Sequence, residues 1–168
     1  MNKIQQFNNP FRHRIIDNFF DKDTLKYCFD YIKENKITKI VRCNNKRLLN
    51  YFQNQFPESY LINFPNHRSY TKLGEYLEVN ICKKDSVYQL HDEAPHKIMS
   101  VVVYLSPYFT SGTFLYDQNK FLAKQVMWKS NRAFVFCGES KITWHSYGNW
   151  ENESRITLNY FKTENESL

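Results

Sequence analysis

Ahead of Glu75, apolar positions fall at helical spacing in two places. In "DKDTLKYCFDYIKEN", Leu25, Cys28, Phe29 and Ile32 recur three, one and three residues apart, which predicts a helix with one core-facing stripe. Asp21 and Asp23 are its N-cap candidates. In "NKRLLNYFQNQF", Leu48, Leu49 and Phe52 share a face, and Pro57 should stop that helix. "FRHRIIDNFF", Phe11 to Phe20, reads as a short strand leading into the first helix.

From Glu75 onward the period changes to two. "EYLEVNIC" places Leu77, Val79 and Ile81 on one face and Tyr76, Glu78 and Asn80 on the other. The strand-like runs "VYQLHDE", "KIMSVVVYL", "GTFLYD", "KQVMWK", "RAFVFC", "KITWHSY" and "SRITLNYF" follow, separated by turn residues. These eight candidate strands in about 90 residues, with no long helix among them, predict an all-β sandwich or barrel rather than βαβ units. The last strand has two contrasting faces: Ile156, Leu158 and Tyr160 on one, Arg155, Thr157 and Asn159 on the other.

Composition narrows the class. At 168 residues the chain suits a single domain with a sizeable core. Its 14 Phe and 12 Tyr favour strands. Four widely spaced cysteines without a CxxC argue against a disulfide framework. "MNKIQQFNNPFRHR" lacks the apolar stretch of a signal peptide, and no run approaches the roughly 18 apolar residues of a membrane span. A reduced, cytoplasmic protein with no membrane partner is the expectation. The net charge of +6 is densest between Lys33 and Arg47, but Lys and Asn are abundant throughout, so a nucleic-acid partner is the weaker reading.

The stretch "YQLHDEAPHK" carries candidate chemistry. On a strand, His91 and Glu93 point to one side and Asp92 to the other, with Asp92 and His96 left toward solvent. A His-x-Glu pair needs a third ligand, and His145 supplies it, in a run expected to end there before a Gly148-Asn149 turn. Two imidazoles and one carboxylate leave open positions on a non-haem iron, although the same set also makes hydrolytic zinc sites. Arg155, ten positions after His145, favours iron, because a fixed guanidinium there can pair with the carboxylate of a chelating cosubstrate, with the Thr157 hydroxyl beside it.

In this order and spacing, "HDE", "KIMSVVVYLS", "SGTFLYD", "NRAFVF", "WHSY" and "RIT" resemble the iron(II)/2-oxoglutarate-dependent dioxygenases, nearest to their prolyl-hydroxylase-like branch. The resemblance spans residues 75 to 162, and "NPFRHRIIDNFF" resembles the family's lead-in. It implies a mainly β, α+β chain with a double-stranded β-helix (jelly-roll, cupin-like) core over 75–162. Strand and helices of 1–74 would pack on one sheet, with a short tail at 163–168. It further implies Fe(II) held by His91, Glu93 and His145. The cosubstrate 2-oxoglutarate would be bound by Arg155 and Thr157, with Tyr104 and Tyr88 near it and Lys97 just after the motif. O2 and an unidentified substrate, a peptide side chain or small molecule, complete a hydroxylase. Trp144 and Ser146 are implied as neighbours of the histidine ligands. The chain departs from the pattern in having Glu93 where aspartate is usual and a single glycine in "SGT". The acid at 93 argues against the halogenating variant. The competing reading is a barrel of the same shape that binds a ligand or partner and catalyses nothing.

Overall fold

The computed structural model describes residues 3–63 and 73–164. The strands are β1 (Lys3–Phe7), β2 (His13–Asp17), β3 (Val41–Cys43), β4 (Leu73–Cys82), β5 (Ser86–His91), β6 (Lys97–Ser106), β7 (Thr113–Tyr116), β8 (Leu122–Val126), β9 (Arg132–Cys137), β10 (His145–Asn149) and β11 (Arg155–Glu164). The helices are α1 (Lys22–Glu34) and α2 (Lys46–Gln55), followed by a 3-10 turn at Glu58–Asn63. Two antiparallel sheets face each other: seven strands in the order β1-β2-β9-β6-β11-β4-β3, and four in the order β5-β10-β7-β8. All eight strands expected after Glu75 are present. Residues 165–168 of the expected tail lie outside the described residues.

The helices form where local chemistry starts them. The Asp21 carboxylate accepts from the Thr24 amide at 2.7 Å, and the Asn45 side chain accepts from the Leu48 amide at 3.0 Å. Pro57 follows the last turn of α2, as expected. One expectation fails in α1: Phe29 is exposed, and the buried line is Thr24, Cys28 and Ile32. That i, i+4, i+8 line is the narrower face that meets the sheet, and Phe29 sits about 100° around the helix from Cys28.

Helices and large sheet are joined by an aromatic cluster. Phe52 stacks on Tyr160 of β11 at 5.0 Å and contacts Phe19, Phe20 and Phe56. Leu77, Val79, Val101, Val103, Leu158 and Tyr160 complete this core. Between the sheets lies a second core of Ile15, Tyr104, Leu115, Val126, Trp128, Phe134 and Phe136. The large sheet therefore separates a helix-side core from an inner compartment, and the alternation read in β4 and β11 assigns side chains to each. Two strands fall outside the expected set. β1 ("KIQQF") and β3 ("VRC") are largely exposed edge strands held by pairing to β2 and β4. All four cysteines are free thiols. Among the described residues, no helix is long and apolar enough to cross a membrane.

Candidate metal centre and anion pocket

The inner face of the large sheet and the strands β5 and β10 enclose a pocket. His145 pairs directly with His91 across the β10–β5 ladder, and the next matched pair is Tyr147 with Tyr88. Two residues on β10 thus span three on β5. This bulge turns Tyr88 to the same side as His91, which strict alternation would forbid. His145 opens β10 rather than closing a strand, and Gly148 and Asn149 belong to β10 rather than to a turn. Pairing with β5 and β7, from distant parts of the chain, overrides the local turn signal.

Glu93 lies just past the end of β5, and its carboxylate is buried. The ligand atoms of His91, Glu93 and His145 all lie within 4.8 Å of one another, so the three can hold one metal ion. Each imidazole directs Nδ1 at a backbone carbonyl, His91 to Gln89 O and His145 to Thr143 O, both at 2.8 Å. A carbonyl can only accept, so Nδ1 carries the proton and Nε2 offers its lone pair to the centre. His145 Nε2 is 3.8 Å from Glu93 Oε1. Burial drives the His145 pKa down to about 4, helped by neighbouring His91 and opposed by Glu93, which keeps the ring neutral and able to ligate. The other carboxylate oxygen, Glu93 Oε2, accepts from Ser100 Oγ at 2.6 Å and has Lys97 Nζ at 3.7 Å.

Asp92 turns away from this centre, as alternation requires. It is not simply solvated: it accepts from the Lys141 amide at 2.7 Å and fastens the loop after β9. His96 is half-buried in the turn before β6, and its carbonyl accepts from the Glu164 amide at 2.8 Å. Trp144 and Ser146 are not neighbours of the imidazoles. Ser146 Oγ meets Tyr116 Oη at 2.9 Å, and Trp144 packs under Lys120 at 4.2 Å, on the far face of the small sheet. Alternation about His145 requires this.

Arg155 begins β11 and is 1% exposed. Its guanidinium carbon lies 4.2 Å from the Tyr147 ring, 5.0 Å from Trp128 and 5.5 Å from Tyr104. Three aromatic faces thus hold the cation, yet among the described residues Nε and Nη2 have no hydrogen-bond partner. Burial lowers the arginine pKa, opposed by Tyr104 and Tyr147, but a guanidinium remains charged at neutral pH. Thr157 Oγ1, two residues on, is also buried and unpartnered. A buried cation with free donors beside a free hydroxyl is a site for a carboxylate.

The tyrosines take different places. Tyr104 is buried beneath Arg155, stacked on Trp128 at 4.5 Å, with its hydroxyl on Thr113 Oγ1 at 2.7 Å. Tyr88 is half-exposed at the mouth, stacked on Tyr147 at 4.9 Å and edge-on to His91. Lys97 lines the pocket, with Nζ 4.0 Å above the Phe161 ring. Sequence reasoning missed Ser100, Tyr147, Trp128 and Asn80, whose amide donates to Tyr147 Oη at 2.5 Å. The lone hydroxyl of Ser100 in the apolar run "KIMSVVVYL" and the position of Tyr147 two after His145 were the available signals.

Two facing antiparallel sheets, helices against the larger one and a pocket between them make up a double-stranded β-helix, the fold of the prolyl hydroxylases among solved structures. No known family's sequence profile matches the chain, and no curated protein sequence matches it. Solved structures match its fold. The viral collagen prolyl hydroxylase vCPH of Paramecium bursaria Chlorella virus-1, in its 2-oxoglutarate complex, superposes with a TM-score of 0.65 at 13% identity, covering 92% of this chain and 96% of that one. A prolyl-4-hydroxylase of Pseudomonas putida gives 0.66 at 10% identity, covering 90% and 92%. A Trichoplax adhaerens prolyl hydroxylase, in complex with a hypoxia inducible factor peptide fragment, gives 0.66 at 11%, covering 90% and 83%.

Proposed function

We propose that this chain is an iron(II)/2-oxoglutarate-dependent dioxygenase acting as a hydroxylase. His91, Glu93 and His145 are the metal ligands. Arg155 and Thr157 take the distal carboxylate of 2-oxoglutarate. The observation that carries the reading is Arg155, a buried guanidinium with two nitrogens unpartnered among the described residues, opening into the same pocket as the three proposed ligands. A hydrolytic zinc reading leaves Arg155 and Thr157 without an assigned role.

The donor set fits the group. Two neutral imidazoles and a carboxylate leave positions for a chelating cosubstrate and O2. Iron(II) with 2-oxoglutarate supplies the oxidising chemistry, in which the cosubstrate loses CO2 to give succinate and the substrate gains oxygen. The chain supplies orientation. Carbonyls of Gln89 and Thr143 fix both imidazole tautomers, and Ser100 holds one Glu93 oxygen so that the other faces the centre. The aromatic walls around Arg155 exclude water from its ion pair, which strengthens it. Tyr104 acts through Arg155 and the Thr113 hydroxyl, and Tyr88 closes the mouth beside His91. The substrate, a peptide side chain or a small molecule, would enter from the open side of the pocket.

Anaerobic addition of Fe(II) and 2-oxoglutarate tests this. A weak visible charge-transfer band should develop and be lost in His91→Ala and His145→Ala. A wild-type chain without the band would refute the ligand assignment.

A further inference from the structure

The pocket floor contains a second polar pair that binding of metal and 2-oxoglutarate leaves unused. On β11 the pocket-facing positions are Arg155, Thr157, Asn159 and Phe161. Asn159 is four residues beyond Arg155, about 13 Å along the strand. Its cross-strand partner on β4 is Glu78, which also lines the pocket. Asn159 is 7% exposed, and its Oδ1 has no hydrogen-bond partner among the described residues. Direct cross-strand pairing on the pocket face sets its amide beside the Glu78 carboxylate. A carboxylate only accepts, so Nδ2 points to Glu78 and Oδ1 is the atom left free. Lys97 lines the same region, between the Glu93 carboxylate and the Phe161 ring.

This end of the pocket offers two acceptors, Asn159 Oδ1 and Glu78, and one donor, Lys97. Glu78 stands opposite Arg42 on β3, which stacks on Tyr76 at 4.1 Å, and has Lys97 as a second cationic neighbour. A carboxylate would face Asn159 Oδ1 and Glu78 with no proton to give, and an ammonium would leave Lys97 without an acceptor, whereas a neutral group with N–H donors and a carbonyl satisfies all three. Resting on the dioxygenase reading above, we infer that Asn159 and Glu78 select a substrate group that is a primary carboxamide, such as an asparaginyl or glutaminyl side chain. Its NH2 donates to Asn159 Oδ1 and Glu78, and its oxygen accepts from Lys97. A prolyl residue within a peptide has no N–H to offer these acceptors.

Blocked tripeptides acetyl-Gly-X-Gly-N-methylamide, with X as Gln, Asn, Lys, Glu or Pro, carry no primary carboxamide outside X and so differ only in the group at issue. Calorimetry should be run anaerobically on the chain loaded with Fe(II) and 2-oxoglutarate, and repeated on the metal-free chain. The Gln or Asn peptide should bind at least tenfold more tightly than the Lys, Glu and Pro peptides. Asn159→Leu should erase that preference, and Asn159→Asp, which keeps an acceptor, should retain most of it. Should Asn159→Leu fail to fold, Glu78→Met is expected to reduce the preference at least fivefold. Equal affinities, tighter binding of the Pro or charged peptides, no binding of the amide peptides, or an undiminished preference in the variants would each overturn the inference. The charge-transfer band is scored separately. Its absence in a chain that still prefers the amide peptides counts against the dioxygenase reading alone, and its presence without the preference counts against the amide subsite alone.

Discussion

Tyr147 lies with its ring 4.2 Å from the guanidinium carbon of Arg155, and Asn80 fixes it there through its hydroxyl. Tyr88 stacks on the other face of that ring at an interplanar angle of 9°. Cation, inner ring and outer ring form a ladder from the pocket interior to its mouth. A desolvated cation–π contact contributes on the order of 1–2 kcal/mol. Tyr147→Ala should therefore raise the 2-oxoglutarate concentration that half-saturates the charge-transfer band about tenfold, while Tyr147→Phe, which keeps the ring, should change it much less.

Ser100 and Asp92 give opposite expectations for metal retention. Ser100 Oγ donates to Glu93 Oε2 at 2.6 Å and so orients a proposed metal ligand. Ser100→Ala should weaken metal binding roughly 10- to 100-fold in a chelator competition, the usual cost of removing a group that orients a ligand. Glu93→Ala should abolish retention. Asp92→Ala should leave it intact and instead speed proteolysis or hydrogen exchange at Ser140–Lys141, the segment Asp92 holds.

His13 makes stability depend on pH. It is fully buried among Phe7, Phe11 and Phe134, and burial drives its pKa down to about 4, with the Phe11 carbonyl opposing and Lys124 adding to the shift. The unfolded chain, with an ordinary histidine near 6.5, binds this proton more readily than the folded one. Stability is therefore full above about pH 6.5 and falls as pH drops toward 4, by about 2–3 kcal/mol for this group. Urea midpoints measured across that window should decline, and His13→Leu should flatten the decline.

Phe52 anchors the helices to the sheet. It is 0% exposed, stacked on Tyr160 and in contact with Phe19, Phe20 and Phe56. Phe52→Ala should cost about 3–5 kcal/mol, read as a lowered urea midpoint. Residual folded protein should keep its charge-transfer band, because Phe52 faces away from the pocket.

What could be read from sequence followed from alternation within single strands. The helix-side set Leu77 and Val79 and the pocket set Arg155, Thr157 and Asn159 fell where a period of two puts them. What could not be read depended on partners far along the chain. β1 carries no apolar alternation, β3 is only three residues long, and both exist because an edge of β2 or β4 is available. The start of β10 is not legible locally because His145 is recruited by His91 and Leu115, more than 25 residues away. The aromatic walls of Arg155 come from residues 104, 128 and 147, on three separate segments, and no local pattern brings them together. Phe29 is exposed because an apolar helix residue can lie one position off the face that packs.

β11 serves two masters by parity. Odd positions carry the pocket's polar chemistry, and even positions Ile156, Leu158 and Tyr160 carry the helix-side core. Pocket chemistry and foldedness are thus written on interleaved, nearly independent letters of one strand, so pocket residues can change without eroding the scaffold. The same interleaving makes the strand intolerant of a single-residue insertion or deletion, which would turn Arg155 into the helix core and Tyr160 into the pocket at one stroke.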